Sequence, residues 1–167
     1  MGAHATSTCV LVGRDAQPQH VQVMPTFFDA GGDGALAGAL AALCADAETA
    51  VRDGAGCLIL SDRCAELDAS RVPIPPLLAV GAVHHHLIRA GLRSDTSIVA
   101  ETAQCFSTHH VAVLVGYGCH AVCPYLALET CRQWRAAPRT ASMIKSGRMA
   151  DITVERAQRN YLSLIHI

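Results

Sequence analysis

The chain has 167 residues, of which 51% are hydrophobic, 16% are charged and 4% are aromatic, and its formal net charge is −1. This length predicts one domain of ordinary size. The near-neutral charge gives no electrostatic reason to expect nucleic acid or an anionic membrane as a partner. No apolar run reaches the roughly 18 residues of a membrane-spanning helix.

Eight cysteines are spread along the chain, and none of them forms a CxxC pair. Several lie within apolar runs, where a free thiol behaves as a small buried hydrophobic group. Disulfide frameworks are typical of short, loop-rich secreted chains. We therefore predict reduced, buried thiols in a protein from a reducing compartment.

The first third of the chain predicts a strand, a helix and a second strand. Residues 21–28 alternate loosely, as in a strand, and apolar residues from Leu36 to Val51 recur at helical spacing before Gly54. Residues 56–60 are a fully apolar strand. The glycine-rich residues 31–34 resemble a phosphate loop, but they lack the GxGxxG spacing, so we interpret them as a turn with Asp33 near the start of the helix.

The middle of the chain repeats this alternation. A helix begins after Pro75 and is predicted to end at Gly91, and residues 96–100 form a short β-branched strand. Ser107 or Thr108 caps a further helix that ends at Gly116 or Gly118. Residues 121–123 form the next strand, followed by a helix over residues 124–134.

The alternation of strands and helices predicts an α/β fold. We expect a parallel β-sheet with flanking helices built from βα units, either Rossmann-like or a partial barrel. Residues 136–147 have the composition of a linker, and Thr153 is placed to cap a short helix over residues 154–161.

Charged and polar residues follow two of the predicted strands. Ser61, Asp62 and Arg63 come directly after one strand, and Glu101 follows the next. Ligands of parallel sheets bind near the carboxyl ends of the strands, which is one interpretation of these four residues. The favoured interpretation is structural, because charged groups at the ends of elements commonly organise loops.

The histidines suggest a metal site but have unsuitable spacing. His84, His85 and His86 are consecutive, so on a helix their side chains point about 100° apart and do not converge on one ion. His109 and His110 have the same defect. A composite zinc site between the two groups, and a Cys105–His109 nucleophile pair, are alternatives that the residues support less well.

The sequence resembles the glutamate synthases from about Phe28 to Tyr161. Characteristic stretches are LSDR at 60–63, LLAVGAVHHHLI at 77–88 and GYG at 116–118. Further matching segments are residues 74–75, 91–93, 109–110, 124–127 and 160–161. TAQCFSTH at 102–109 and AVCPYLALETCRQW at 121–134 are similar to the ferredoxin-dependent type; the alternatives are the NAD(P)H-dependent type or a free-standing α/β ligand-binding module.

The resemblance implies a glutamate synthase, which makes glutamate from glutamine and 2-oxoglutarate in the plastid stroma or the bacterial cytoplasm. It places residues 1–135 in the family's central domain, as a structural part that helps wall the ammonia path. Residues 136–161 would link it to an FMN domain. In that family, an N-terminal cysteine hydrolyses glutamine, and FMN and a 3Fe–4S cluster reduce the imine with electrons from ferredoxin; the resemblance implies that all of these lie outside these residues. No catalytic, cofactor-binding or metal-binding residue is therefore predicted here.

The last six residues, 162–167, depart from the family's pattern. They match one reading frame of a common sequencing adaptor. We expect them to be a non-native tail that is exposed or poorly ordered and does not continue the preceding helix.

Overall fold

The computed structural model describes residues 10–11, 20–64 and 70–165. The strands are β1 (Val10–Leu11), β2 (His20–Pro25), β3 (Phe27–Asp29), β4 (Ala55–Ser61), β5 (Arg71–Pro73), β6 (Ser97–Glu101) and β7 (Ala121–Cys123). The helices are α1 (Ala35–Arg52), α2 (Pro76–Arg89), α3 (Thr108–Gly116), α4 (Tyr125–Ala136), α5 (Pro138–Lys145) and α6 (Val154–Ile165).

Five strands form the main sheet in the order β1-β7-β6-β4-β2. Strands β2, β4, β6 and β7 are parallel, whereas β1 pairs antiparallel with β7. Leu58 lies opposite Ile98 and Val99 opposite Ala121. The predicted parallel arrangement of the strands near 56–60, 96–100 and 121–123 is confirmed. Strands β3 and β5 form a separate antiparallel pair.

The core lies between one face of the sheet and helices α1, α2 and α3. Each crossover from β2 through β4 and β6 to β7 moves one strand in the same direction, so right-handed connections place all three helices on the same face. The buried cluster includes Leu58, Ile98 and Val122 from the sheet. The helices contribute Leu43, Ala47, Val80, Val83, Leu87, Val111 and Leu114.

Most predicted helix boundaries are confirmed. Pro76 lies in the first turn of α2, and Gly91 follows that helix with a left-handed φ of 72°. The Ser107 hydroxyl caps α3 by accepting a hydrogen bond from the His110 N–H at 3.3 Å. Thr153 likewise caps α6, because its hydroxyl accepts from the Arg156 N–H at 3.2 Å.

Three predictions of local structure need correction. The single strand over 21–28 is divided at Thr26 into β2 and β3. Residues 136–147, interpreted as a linker from their composition, contain helix α5. Pro138 lies in the first turn of this helix, and Thr140 is buried on one of its faces.

The third correction concerns the chain after Tyr161. Helix α6 continues to Ile165, although residues 162–167 were expected not to extend it. Leu162 packs against the hydrophobic core, which supplies the contact that stabilises this extra turn. Residues 166–167 lie outside the described residues. That residues 136–161 lead to an FMN domain stays a prediction.

Candidate functional site

The candidate site lies where β4, β6 and β7 end, which we call the carboxyl edge. In the register of the sheet, Ser61 lies opposite Glu101, and Glu101 lies opposite Cys123. The loops that follow these strands are therefore adjacent. The structure thus brings together Ser61, Asp62, Arg63 and Glu101, the four residues that the sequence analysis selected.

Asp62 is a buried carboxylate whose hydrogen bonds are made within the protein. Its Oδ2 accepts from the Thr102 hydroxyl at 2.6 Å, and its Oδ1 accepts from the Ala103 N–H at 2.9 Å. The Thr102 hydroxyl in turn accepts from the Gln104 N–H at 3.0 Å. Because these bonds fix the loop after β6 to the loop after β4, Asp62 has a structural role.

Ser61, Arg63 and Glu101 form a second group beside Asp62. The Ser61 hydroxyl donates to Glu101 Oε2 at 2.6 Å and accepts from the Arg63 N–H at 3.2 Å. The Arg63 Nη1 lies 3.5 Å from Glu101 Oε1. The Glu101 side chain is 16% exposed and that of Arg63 is 47% exposed, so only the arginine faces solvent to a large extent.

Tyr125 connects the third strand to this cluster. Its hydroxyl donates to the Asp62 carbonyl oxygen at 3.3 Å, and the Arg63 guanidinium lies 5.5 Å from the centre of its ring. Burial, followed by the nearby charge of Asp62, raises the pKa of the Tyr125 phenol. The phenol is therefore a hydrogen-bond donor rather than a base at neutral pH.

The sequence analysis did not assign Tyr125 and Thr102 to the site. Thr102 directly follows β6, and Tyr125 begins α4 two residues after the end of β7. The rule that selected Asp62 and Glu101, proximity to the carboxyl end of a strand, applies to both residues. The selection centred on the charged residues and on Ser61 beside them, so these two uncharged residues were missed.

The hydrogen bonds at the carboxyl edge hold neighbouring loops of the domain together. Its two carboxylates accept hydrogen bonds from protein groups. A neighbouring cavity lined by Thr26, Pro76 and Thr102, among others, has a volume of about 10 Å³. This is space for about one water molecule. The geometry favours the structural interpretation over a ligand site.

The consecutive histidines contact different partners. His84 Nδ1 accepts from Arg93 Nε at 2.8 Å, whereas His86 Nε2 lies 2.7 Å from Glu48 Oε2 on α1. His110 Nδ1 accepts from the Phe106 N–H. Among the described residues, no three His, Cys, Asp or Glu side chains are grouped to hold a metal ion. That His84, His85 and His86 do not bind zinc together stays a prediction.

None of the seven cysteines within the described residues forms a disulfide. Burial raises the pKa of both Cys105 and Cys119 to about 11, so both are protonated at neutral pH. A buried, protonated Cys105 does not suit the nucleophile that a pair with His109 would require. Cys64 is exposed, which corrects the expectation of burial for that residue, and Cys9 lies outside the described part of the chain.

The segment that resembled a phosphate loop forms the turn before α1. Gly34 caps this helix in a left-handed conformation, with φ 87°, and no side chain forms a capping hydrogen bond. Asp33 directly precedes that cap. The prediction of a turn with Asp33 near the start of the helix is therefore confirmed.

A comparison with protein families identifies the chain. Residues 4–166 match the family model described as the glutamate synthase central domain. The chain belongs to the glutamate synthase central domain family. The resemblance noted in the sequence is thus confirmed over nearly the whole chain.

Several relatives of this family member share about half of its residues. It is 53% identical over 146 residues to the chloroplastic ferredoxin-dependent glutamate synthase of Oryza sativa subsp. japonica, covering 86% of this chain. It is 54% identical to the chloroplastic ferredoxin-dependent glutamate synthase 2 of Arabidopsis thaliana, covering 87% of this chain. Ferredoxin-dependent glutamate synthase 2 of Synechocystis is 50% identical over 84% of this chain.

The match is to a small part of each relative. The chain spans 9% of the length of the rice, Arabidopsis and Synechocystis proteins. In the part of this chain that the structure describes, every helix is too short or too polar to cross a bilayer.

Proposed function

We propose that this chain is the central domain of a ferredoxin-dependent glutamate synthase, which makes glutamate from glutamine and 2-oxoglutarate. The observation that carries the proposal is the 50–54% identity to relatives of that name from a grass, a dicot and a cyanobacterium. The proposed location is the plastid stroma or the bacterial cytoplasm, and the chloroplastic names of the plant relatives support the first.

Within that enzyme, we assign this domain a structural role between the amidotransferase and FMN domains, where it helps wall the ammonia path. The support is the carboxyl edge, whose carboxylates bind loops of the domain itself. The glutaminase cysteine, FMN, the 3Fe–4S cluster and the contact with ferredoxin belong, in this proposal, to the rest of the polypeptide. The 9% coverage of the relatives leaves ample chain for them.

The full-length polypeptide that contains this chain tests the enzymatic part of the proposal. Purified protein is supplied with glutamine and 2-oxoglutarate, together with either reduced ferredoxin or NADPH. Glutamate formation with reduced ferredoxin is expected. Formation with NADPH alone would assign the chain to the other type, and none with either donor would contradict the proposal.

The 167-residue chain tests the structural role. It is incubated with FMN, desalted and scanned in the visible range, and a parallel sample is assayed for glutamine hydrolysis. We expect a colourless protein without glutaminase activity, because the proposal places the cofactor and the nucleophile elsewhere. A retained flavin spectrum, or glutamate release above the blank, would show that this domain itself carries catalytic groups.

A further inference from the structure

Arg93 organises a cluster of hydrogen bonds at the opposite, amino edge of the sheet. Its Nε donates to His84 Nδ1 at 2.8 Å, its Nη1 to the Thr96 carbonyl at 2.8 Å and its Nη2 to the Gly118 carbonyl at 2.7 Å. The same Nη2 lies 3.2 Å from His120 Nδ1. We call these five residues the Arg93 cluster.

The donors in this cluster fix the protonation of its histidines. A guanidinium has only N–H donors, so His84 Nδ1 must present a lone pair and the ring proton must lie on Nε2. His120 Nδ1 also accepts from the backbone N–H of Ile98 at 3.2 Å. A second proton on either ring would place an N–H donor against another donor.

The side chains that act on His84 within the Arg93 cluster carry no negative charge that would offset a further positive one. The groups acting on His84 are Arg93, His85 and His120, all of which are cationic or can become so. Cys119 is the titratable group beside Arg93. In the described part of the chain, no acidic side chain forms a hydrogen bond or ion pair with these residues. Burial and the Arg93 charge lower the pKa of both His84 and His120.

Close packing prevents the His84 ring from turning away freely. Gly118 has a φ of 107°, and a Cβ added there would lie 2.1 Å from His84 Nδ1. The turn after α3 therefore lies directly against the imidazole. A protonated His84 has to separate from both Arg93 and this turn.

From this geometry we propose that the Arg93 cluster is an acid-sensitive connection between α2, β6 and the α3–β7 turn. On acidification, a solvent proton adds to His84 Nδ1, and the imidazolium loses its hydrogen bond from Arg93 Nε. The guanidinium then no longer links α2 to the Thr96 and Gly118 carbonyls. The α3–β7 turn opens, while the hydrogen bonds of Asp62 and Glu101 at the carboxyl edge, which involve no histidine, remain.

The direction of the pH effect follows from linkage. Above the ordinary histidine pKa of about 6.5, both folded and unfolded chains carry neutral rings. As the pH falls below that value, the unfolded chain takes up protons first, because the folded pKa of His84 is lower. Stability is therefore lost as the pH falls from about 6.5 through the folded pKa.

Replacing His84 with asparagine tests the proposal, because the asparagine Oδ1 can accept from Arg93 close to the position of Nδ1 but does not titrate. The free energy of unfolding of the 167-residue chain is measured by urea titration from about pH 7.5 to pH 5. For each protein, the loss of stability is the fall in its free energy of unfolding from the highest to the lowest pH. The loss in His84→Asn is expected to be less than half of the loss in the wild type. Adding His120→Asn should reduce the loss further.

His85→Asn is the matched control, since His85 is exposed and makes no hydrogen bond to Arg93. This variant should keep most of the acid sensitivity, because it leaves the Arg93 cluster intact and removes only the repulsion between His84 and the neighbouring His85 ring. Equal losses in His84→Asn and the wild type would overturn the proposal, as would a reduced loss in His85→Asn equal to that in His84→Asn.

Two measurements on the wild type keep the proposal testable if His84→Asn does not fold. The His84 ring is titrated by NMR, and a midpoint at or above about 6.5 would overturn the proposal. Amide protection factors, corrected for intrinsic exchange, should fall on acidification at Gly118 and Cys119 before they fall at Thr102 and Ala103. Simultaneous loss at both edges would also contradict it.

Discussion

The two edges of the parallel sheet are held by groups of opposite charge. At the carboxyl edge, Asp62 and Glu101 accept hydrogen bonds from hydroxyl and backbone N–H donors. At the amino edge, Arg93 donates to the carbonyls of Thr96 and Gly118 and to histidine nitrogens. The same fold thus uses anions at one edge and a cation at the other.

Helix orientation explains this difference. Helices that connect parallel strands begin near the carboxyl edge, where α2, α3 and α4 start, and α2 and α3 end near the amino edge. Helix N-termini carry unpaired N–H groups and partial positive charge, whereas C-termini carry unpaired carbonyls and partial negative charge. Carboxylates at the first edge and a guanidinium at the second match these charges. We expect variants that disturb close packing to cost the most stability at the amino edge. At the carboxyl edge, we expect the largest cost from variants that remove buried hydrogen bonds.

Gly118→Ala should cause the largest loss, because it combines backbone strain with a direct clash. A left-handed alanine costs about 1–2 kcal/mol, and overpacking about 1–3 kcal/mol. The new Cβ would overlap the His84 ring and displace it from Arg93. We expect a loss of about 4 kcal/mol in the free energy of unfolding, measured by urea titration.

Two other glycines separate strain from clash. Gly147 has a φ of 72° with no atom within 4 Å of an added Cβ, so Gly147→Ala should show the strain alone. Gly116 has neither feature, and Gly116→Ala should be neutral or slightly stabilising. If Gly118→Ala costs no more than Gly147→Ala, the packing against His84 has no energetic importance.

Asp62→Ala should cause the largest loss among the variants at the carboxyl edge. It leaves the Thr102 hydroxyl and the Ala103 N–H without their acceptor, and each unsatisfied buried group costs about 1–3 kcal/mol. We expect a loss of about 3 kcal/mol in the same urea titration. Asp46→Ala, at an exposed position of α1, should change stability by less than about 0.5 kcal/mol. Similar values for the two variants would show that Asp62 does not support its loops.

Asp62→Asn sharpens the same test. The asparagine Oδ1 can still accept from the Ala103 N–H, but the amide group lacks the second acceptor that now faces Thr102. Asp62→Asn should therefore lose stability relative to the wild type, but less than Asp62→Ala loses. A loss equal to that of Asp62→Ala would mean that charge, rather than the number of acceptors, determines the stability of this edge.

The amino-acid pattern predicted the sheet well because local signals agreed with the tertiary structure. Apolar runs at 56–60, 96–100 and 121–123 coincide closely with β4, β6 and β7. The position of Asp62 and Glu101 directly after neighbouring parallel strands also predicted that they lie at the same edge of the sheet. In contrast, α5 has a polar composition and the last turn of α6 is a short apolar segment without a clear helical period, and contacts with distant residues decide the conformation of both.

The Arg93 cluster was not predicted for a different reason. Arg93 bonds to residues 9, 25 and 27 positions away, and no spacing rule marks such a combination. The histidine triplet suggests a metal site by residue type, although its spacing is unsuitable for one. Its first member instead accepts a hydrogen bond from an arginine, a role that requires the folded turn at Gly118.

Ser61→Ala should have an intermediate effect at the carboxyl edge. The hydroxyl donates to the Glu101 carboxylate and accepts from the Arg63 N–H, and hydrogen bonds to charged groups contribute about 1.5–3 kcal/mol. Glu101 retains some contact with water, so we expect the lower limit, about 1.5 kcal/mol. Ser142→Ala, at an exposed position of α5, is the control and should change stability by less than about 0.5 kcal/mol. No difference between the two variants would indicate that water replaces the Ser61 hydroxyl.

Arg63→Ala should have the smallest effect, because the Arg63 side chain is 47% exposed and its Nη1 lies 3.5 Å from Glu101 Oε1. Exposed ion pairs contribute between about 0 and 1 kcal/mol, and salt screens them. We expect a loss below about 1 kcal/mol that decreases further in about 1 M salt. Arg63→Lys keeps the charge but lacks the planar group over Tyr125, so the difference between the two variants isolates the stacking contribution. A salt-independent loss above about 2 kcal/mol would contradict the weak ion pair proposed here. It would show that the exposed Arg63 stabilises the carboxyl edge about as much as the buried Asp62 carboxylate does.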